Sequence, residues 1–328
     1  MTRLGYKNPL RRLVPLLGGL LPGRAPEGFA GRPIQVVGHR GAPREHPENT
    51  VASFQRAFEL GACAIETDVC VTRDGAFILW HDADPDDKVA LARQAGAEKL
   101  FCCPEVPPAG SPWRKPVREL DLADLQGRWG YSRREVPGRK AGPGGSVPEF
   151  SIATLEDLLV LARRELRLRH VYLDVKLAED QTQSASKLVD LLRADRVEGV
   201  SFHLLSPQRE IAQTFLENLS SDGGSSLDAY PDFELPGALE FARRIRASRV
   251  SMGGGERLWR GFRPELARVL AARDSGELDS VVVWTFSDAE RLEALVRLGV
   301  DGILTDDTPL LCRLAQKAGR PQPGPAAT

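Results

Sequence analysis

Apolar residues along this chain of 328 residues fall into short runs separated by longer amphipathic stretches. The first run, residues 34–37, has strand length and no polar break. Asn49 or Thr50 then stands as a helix N-cap before Val51, Phe54, Ala57 and Phe58 at helical spacing, and Gly61 stops the segment. Residues 64–71 form a second apolar run. The turn Thr72-Arg73-Asp74-Gly75 leads directly into a third, residues 76–80, so these two runs are expected as close neighbours. From residue 150 onward, helical patterns at 155–166, 184–192, 207–219, 239–245, 266–272 and 289–298 alternate with strand patterns at 171–177, 200–204, 281–286 and 302–304. Either 226–230 or 249–252 supplies the sixth strand. Repeated strand-then-helix units imply parallel strands joined by right-handed crossovers. About eight units over roughly 250 residues predict an α/β fold, a TIM-type (β/α)8 barrel with an insertion after the third strand, over an open doubly wound sheet.

This pattern divides the chain into a basic, apolar and flexible leader (1–33), the barrel (34–312) and a disordered C-terminal tail (313–328). Residues 83–150 read as an irregular insertion or long loop region over the barrel mouth, with a short helix near 120–125. The leader carries Lys7, Arg11 and Arg12 beside an apolar stretch, 14–21, that is too short to span a bilayer and is interrupted by Pro15, Gly18 and Gly19. No small-x-small cleavage site follows it. A leader that is loose or docked on the surface is therefore expected, with a cleaved signal or membrane contact as the alternative.

Composition adds exclusions. The net charge of −1 and pI near 6.6 leave no basic excess for a nucleic acid partner. Five cysteines, an odd number without paired CxxC motifs, argue against a zinc site or a disulfide framework. They suggest reduced thiols in the cytoplasm.

The chemistry sits at strand ends. His39 and Arg40 follow the first run, Glu66 and Asp68 lie in the second, and His81 and Asp82 follow the third. Residues i and i+2 of a strand share a face, so Glu66 and Asp68 project together toward the mouth expected at the C-terminal ends of the strands. Two carboxylates aimed at one point repel, and a hard divalent cation with oxygen ligands relieves that repulsion. Asp174 and Lys176 repeat the i, i+2 spacing and could add a third carboxylate and a cation for an anionic substrate. Each feature also has a plainer explanation: a hydrogen-bonded rim histidine, a solvated acidic edge, an internal Asp–Lys pair. Their coincidence at successive strand ends favours a site. The run Gly253-Gly254-Gly255 lacks the spaced-glycine nucleotide fingerprint.

His39-Arg40-Gly41, Pro47-Glu48-Asn49-Thr50, Glu66-x-Asp68, Thr72-x-Asp74-Gly75 and His81-Asp82 together resemble the N-terminal signature of the glycerophosphodiester phosphodiesterases. The likeness continues in Thr154 to Leu158, Trp284-Thr285 and Gly299 to Asp306. The resemblance implies a TIM-type barrel that binds one divalent cation, Mg2+ or Ca2+, and splits small glycerophosphodiesters into sn-glycerol 3-phosphate and an alcohol. It implies His39 and His81 as the acid and base, and Glu66 and Asp68 as metal ligands, joined by Asp174. It also implies Arg40 and Lys176 on the phosphate, Trp284 on the pocket wall, and Glu48 and Asn49 in support. The family often has Glu where this chain has Asp174, which leaves the choice of metal and substrate open. Lysophospholipase D-type cleavage of a lipid phosphodiester, and a non-catalytic phosphodiester-binding barrel, are the rival readings.

Overall fold

The apolar runs become strands buried on both faces, as parallel strands sheathed by helices must be. The computed structural model describes residues 31–133, 147–219, 227–233, 237–253 and 259–323. In chain order the strands are β1 (Gln35–Gly38), β2 (Ala64–Val71), β3 (Phe77–Leu79), β4 (Cys102–Glu105), β5 (Gly130–Arg133), β6 (Phe150–Ser151) and β7 (Ala153–Thr154). They continue with β8 (His170–Val175), β9 (Ser201–Ser206), β10 (Leu227–Phe233), β11 (Arg249–Gly253), β12 (Ser280–Trp284) and β13 (Gly302–Thr305). Strands β1, β2 and β8 to β13 pair in parallel, and β1 pairs with both β2 and β13, which closes an eight-stranded (β/α)8 barrel of TIM type. Both candidates for the sixth strand are staves, β10 and β11, paired to each other.

The barrel interior is filled by Val37, Ala64, Tyr172, Leu205, Tyr230, Val282 and Leu304. Two larger apolar layers pack the helices against the outside, one around Phe54, Leu158, Leu188 and Phe215, the other around Phe262, Leu266, Leu292 and Leu311. Each such side chain removed from water contributes ~1.5–3 kcal/mol, which makes these layers the main support of the barrel.

Three expectations need correction. The third apolar run is not a stave. β3 runs antiparallel to β2, with Phe77 opposite Val71 and Leu79 opposite Val69. A four-residue turn can join only antiparallel neighbours, because a parallel return needs a crossover. Next, the insertion is an organised subdomain. β4, β5 and β6 form an antiparallel sheet, helix Lys88–Gln94 is capped by Asp87, and Trp80, Trp129, Tyr131, Leu125 and Val117 make a separate core. These residues share no sequence period, so pattern reading finds little beyond the short helix expected near 120–125, which lies at Leu122–Leu125; residues 134–146 lie outside the described part. Last, the tail is ordered beyond residue 312. The final helix spans Thr308–Lys317, and Arg320 beyond it is buried and donates to four main-chain carbonyls. Of the leader, residues 1–30 lie outside the described residues.

Candidate active site

At the C-terminal ends of the staves a cavity of about 820 Å³ is lined by His39, Arg40, Glu66, His81, Asp174, Lys176, Asp232, Trp284 and Asp306, among others. Strand register explains the convergence. Asp68 lies opposite Asp174 in the β2–β8 ladder, and Glu66 precedes Asp68 by two residues on the same face. The three carboxylates each offer an oxygen within 4.8 Å of the others. An all-oxygen donor set of this kind suits a hard divalent cation. One oxygen of Asp174 is buried with no hydrogen-bond partner, a further sign that the cluster fits such an ion. Burial, then the charge of Asp68, pushes the Glu66 carboxyl up to about 8. Burial acts the same way on Asp68, but Arg40, His81 and Lys176 outweigh it and hold that carboxyl well below its usual range.

Both histidines are backed by a carboxylate. His39 Nδ1 lies 2.7 Å from Asp306 and His81 Nδ1 lies 2.6 Å from Asp82. A carboxylate accepts, so each Nδ1 carries the hydrogen, and Nε2 is the nitrogen left without one in the neutral ring. Their environments then diverge. At His39, burial and Arg40 oppose the charged ring, yet Asp306 and Glu66 prevail and raise its proton affinity. At His81, burial and Arg40 prevail over Asp68 and Asp82, and its proton affinity falls.

Arg40 emerges from β1 in the left-handed region, at φ 51°. That conformation points its N–H at Glu66, 2.9 Å away, while its guanidinium reaches Glu48 at 2.9 Å and lies 2.9 Å from Asp68. Gly41 lets the turn pack on the following helix, since a Cβ there would fall 2.5 Å from Ser53 Oγ. Asn49, also left-handed at φ 54°, donates to Asp68 at 3.0 Å and accepts from Thr67 at 2.8 Å. It therefore orients a carboxylate and touches the cavity only through it. Lys176 bridges Asp174 at 2.6 Å and Asp68 at 3.2 Å. Trp284 lies flat on Gly253, where a Cβ would collide with the ring at 2.4 Å, and its Nε1 donates to Asp232 at 2.5 Å.

Sequence reasoning assigned no role to Asp82, Asp306 or Asp232, and none to Arg93 and Glu98 of the insertion. Asp306 was within reach of inference: closing a barrel makes its first and last strands neighbours. The register Gly38↔Thr305 then sets the residues that follow, His39 and Asp306, side by side. His81 reaches the mouth by another route than the one expected. β3 folds back until Trp80 N–H donates to the Asp68 carbonyl, which sets His81 at the level of the carboxylates.

Two histidines of opposed proton affinity, facing a cluster of both signs of charge, suit acid–base cleavage of an anionic ester, and the protein is a phosphoric diester hydrolase. It belongs to the glycerophosphoryl diester phosphodiesterase family, whose model matches residues 39–310. It is 51% identical over 284 residues to a glycerophosphodiester phosphodiesterase of Caldanaerobacter subterraneus subsp. tengcongensis, covering 87% of this chain and 98% of that one. Two solved structures share the fold at low identity. One from Silicibacter pomeroyi has a TM-score of 0.66 at 19% identity, over 90% of this chain and 98% of the other. The other, an Oleispira antarctica phosphodiesterase in complex with its product sn-glycerol-3-phosphate, has a TM-score of 0.61 at 16% identity, over 86% and 96%.

Proposed function

We propose that this enzyme hydrolyses small glycerophosphodiesters to sn-glycerol 3-phosphate and an alcohol, and that it needs one divalent cation, Mg2+ or Ca2+. The observation that carries the reading is the pair of carboxylate-backed histidines at the rim of the Glu66–Asp68–Asp174 cluster. Those three carboxylates would hold the cation. When bound, it supplies charge neutralisation at the phosphate and acidifies the attacking hydroxyl. Arg40 binds a phosphate oxygen through its fork of N–H groups, and Lys176 acts as a point charge on another. His81, held neutral, takes the proton of the attacking oxygen, from water directly or from the glycerol C2 hydroxyl, in which case the alcohol leaves to give a cyclic phosphate that water then opens to sn-glycerol 3-phosphate. His39, whose charged form Asp306 supports, protonates the departing alkoxide. Each transfer contributes ~10²–10⁴-fold. Trp284 forms the wall beside the alcohol part of the substrate, with Asp232 fixing its indole. Five free thiols support a reducing compartment, the cytoplasm. Among the described residues no helix is long and apolar enough to cross a membrane.

The test is release of glycerol 3-phosphate from glycerophosphocholine and glycerophosphoethanolamine by chelator-treated protein, with Mg2+, Ca2+ or neither restored, beside His39→Ala. Release that returns with one cation and fails in the variant is expected. No release with either ion, together with cleavage of lysophospholipids, would move the assignment to a lipid phosphodiester.

A further inference from the structure

Arg93 lies on helix Lys88–Gln94 of the insertion, outside every motif that marks the site, and yet its side chain is almost fully buried, 2% exposed. Its three guanidinium nitrogens go to three different carboxylates. Nε is 3.1 Å from the Asp82 carboxylate, and the two terminal nitrogens bond Glu48 and Glu98. Two of these lead directly into the site. Asp82 holds His81 through Nδ1 at 2.6 Å, and Glu48 holds Arg40 at 2.9 Å. Glu98, at the cavity edge, also approaches Arg40, at 3.4 Å.

We infer that Arg93 is a positioning residue for the reaction: one buried guanidinium holds Asp82 against His81 and Glu48 against Arg40. This rests on the roles given to His81 and Arg40 above. A planar fork suits the task, because it fixes three acceptors at set angles and stays charged when buried. Without it, Asp82 and Glu48 would be buried negative charges relying on His81 and Arg40 alone, free to turn away from the cavity. The insertion thus builds the site itself, reaching from its helix into the supports of both a proton-transfer group and a phosphate-binding group.

Arg93→Met and Arg93→Lys provide the test. Arg114→Gln serves as the control, because Arg114 also braces the insertion, bonding Asp86, Gln94 and the carbonyls of Pro85 and Pro107, but makes no contact with the site's supports. A misplaced histidine should lower kcat ~10²-fold in Arg93→Met, and a loosened Arg40 should weaken binding of sn-glycerol 3-phosphate about tenfold. Lysine restores charge without the fork, so Arg93→Lys should recover thermal stability more than kcat. The imidazole nitrogen resonances of His81 should shift in both Arg93 variants and stay fixed in Arg114→Gln. If Arg93→Lys keeps kcat within about twofold and leaves the His81 resonances in place, the inference is overturned. It is overturned equally if Arg114→Gln reproduces the same losses, since general loosening of the insertion then accounts for them. Should the wild-type protein release no glycerol 3-phosphate, the functional reading fails, while the His81 resonances and product binding still decide whether Arg93 positions these groups.

Discussion

The two histidines differ in what surrounds an otherwise similar carboxylate pairing. Replacing Asp306 by asparagine keeps an acceptor for His39 Nδ1–H but removes the negative charge 2.7 Å away. Burial and Arg40 would then act on the ring without their main opponent, leaving Glu66 and the more distant Glu98 to favour the charged form. In Asp306→Asn the limb of the kcat–pH profile that reports protonated His39 should move to lower pH by roughly 1–3 units. An unmoved limb would mean that another group donates the proton. The same pair links to stability with a definite sign. His39 binds its proton more tightly in the fold than the ordinary 6.5, so its contribution is complete below that value and is lost as pH rises through the folded one. Asp306, depressed despite its burial, contributes above its ordinary 3.8 and loses that contribution as pH falls. The pair therefore stabilises the fold in the window between.

Among the elements, the hairpin of β2 and β3 and the subdomain built on it decide whether His81 reaches the mouth. Trp80, the residue before His81, packs against Trp129 at 5.7 Å in a T-shaped contact and against Tyr131 at 4.9 Å. Trp129→Ala should cost ~3–5 kcal/mol locally. Amide exchange should rise first in β4, β5 and helix Lys88–Gln94, with kcat falling while the barrel strands remain protected. Uniform loss of protection across barrel and insertion would show instead that the two unfold as one unit. This is also where the sequence was hardest to read. Most staves announce themselves by short apolar runs, though β10, LDAYPDF, and β11 competed for one place, and Glu66, Asp68, Asp174 and Lys176 stand out by spacing. The insertion core draws on Cys102, Val117, Leu125, Trp129 and Tyr131, brought together by tertiary contacts without a shared period. Arg93 and Glu98 are ordinary charges in a polar stretch until the fold buries one and turns the other to the cavity edge.

For the whole molecule, the barrel separates chemistry from closure. Chemistry gathers at the C-terminal ends of the staves, and the opposite end holds the chain shut. There Arg320 donates to the carbonyls of Arg32 and Pro33, just ahead of β1, to that of Val296 in the helix Ala289–Leu298 that precedes β13, and to that of Val300 in the loop between them. It thus joins the two strands whose pairing closes the ring. Burial lowers its proton affinity to about 10, which leaves it charged at neutral pH and a strong donor to these four carbonyls. Arg320→Met should reduce global stability by about 2–4 kcal/mol, read as a lower urea midpoint at unchanged slope. Because the clasp lies at the far end from the cavity, kcat and KM should hold. A chain cut after residue 312 also loses the second half of helix Thr308–Lys317, including the buried Ala315, and should suffer more than the point variant. A midpoint shift equivalent to less than ~0.5 kcal/mol in Arg320→Met would show that β1–β13 pairing closes the barrel without the clasp. A change in KM would show that strain at the closure reaches the mouth.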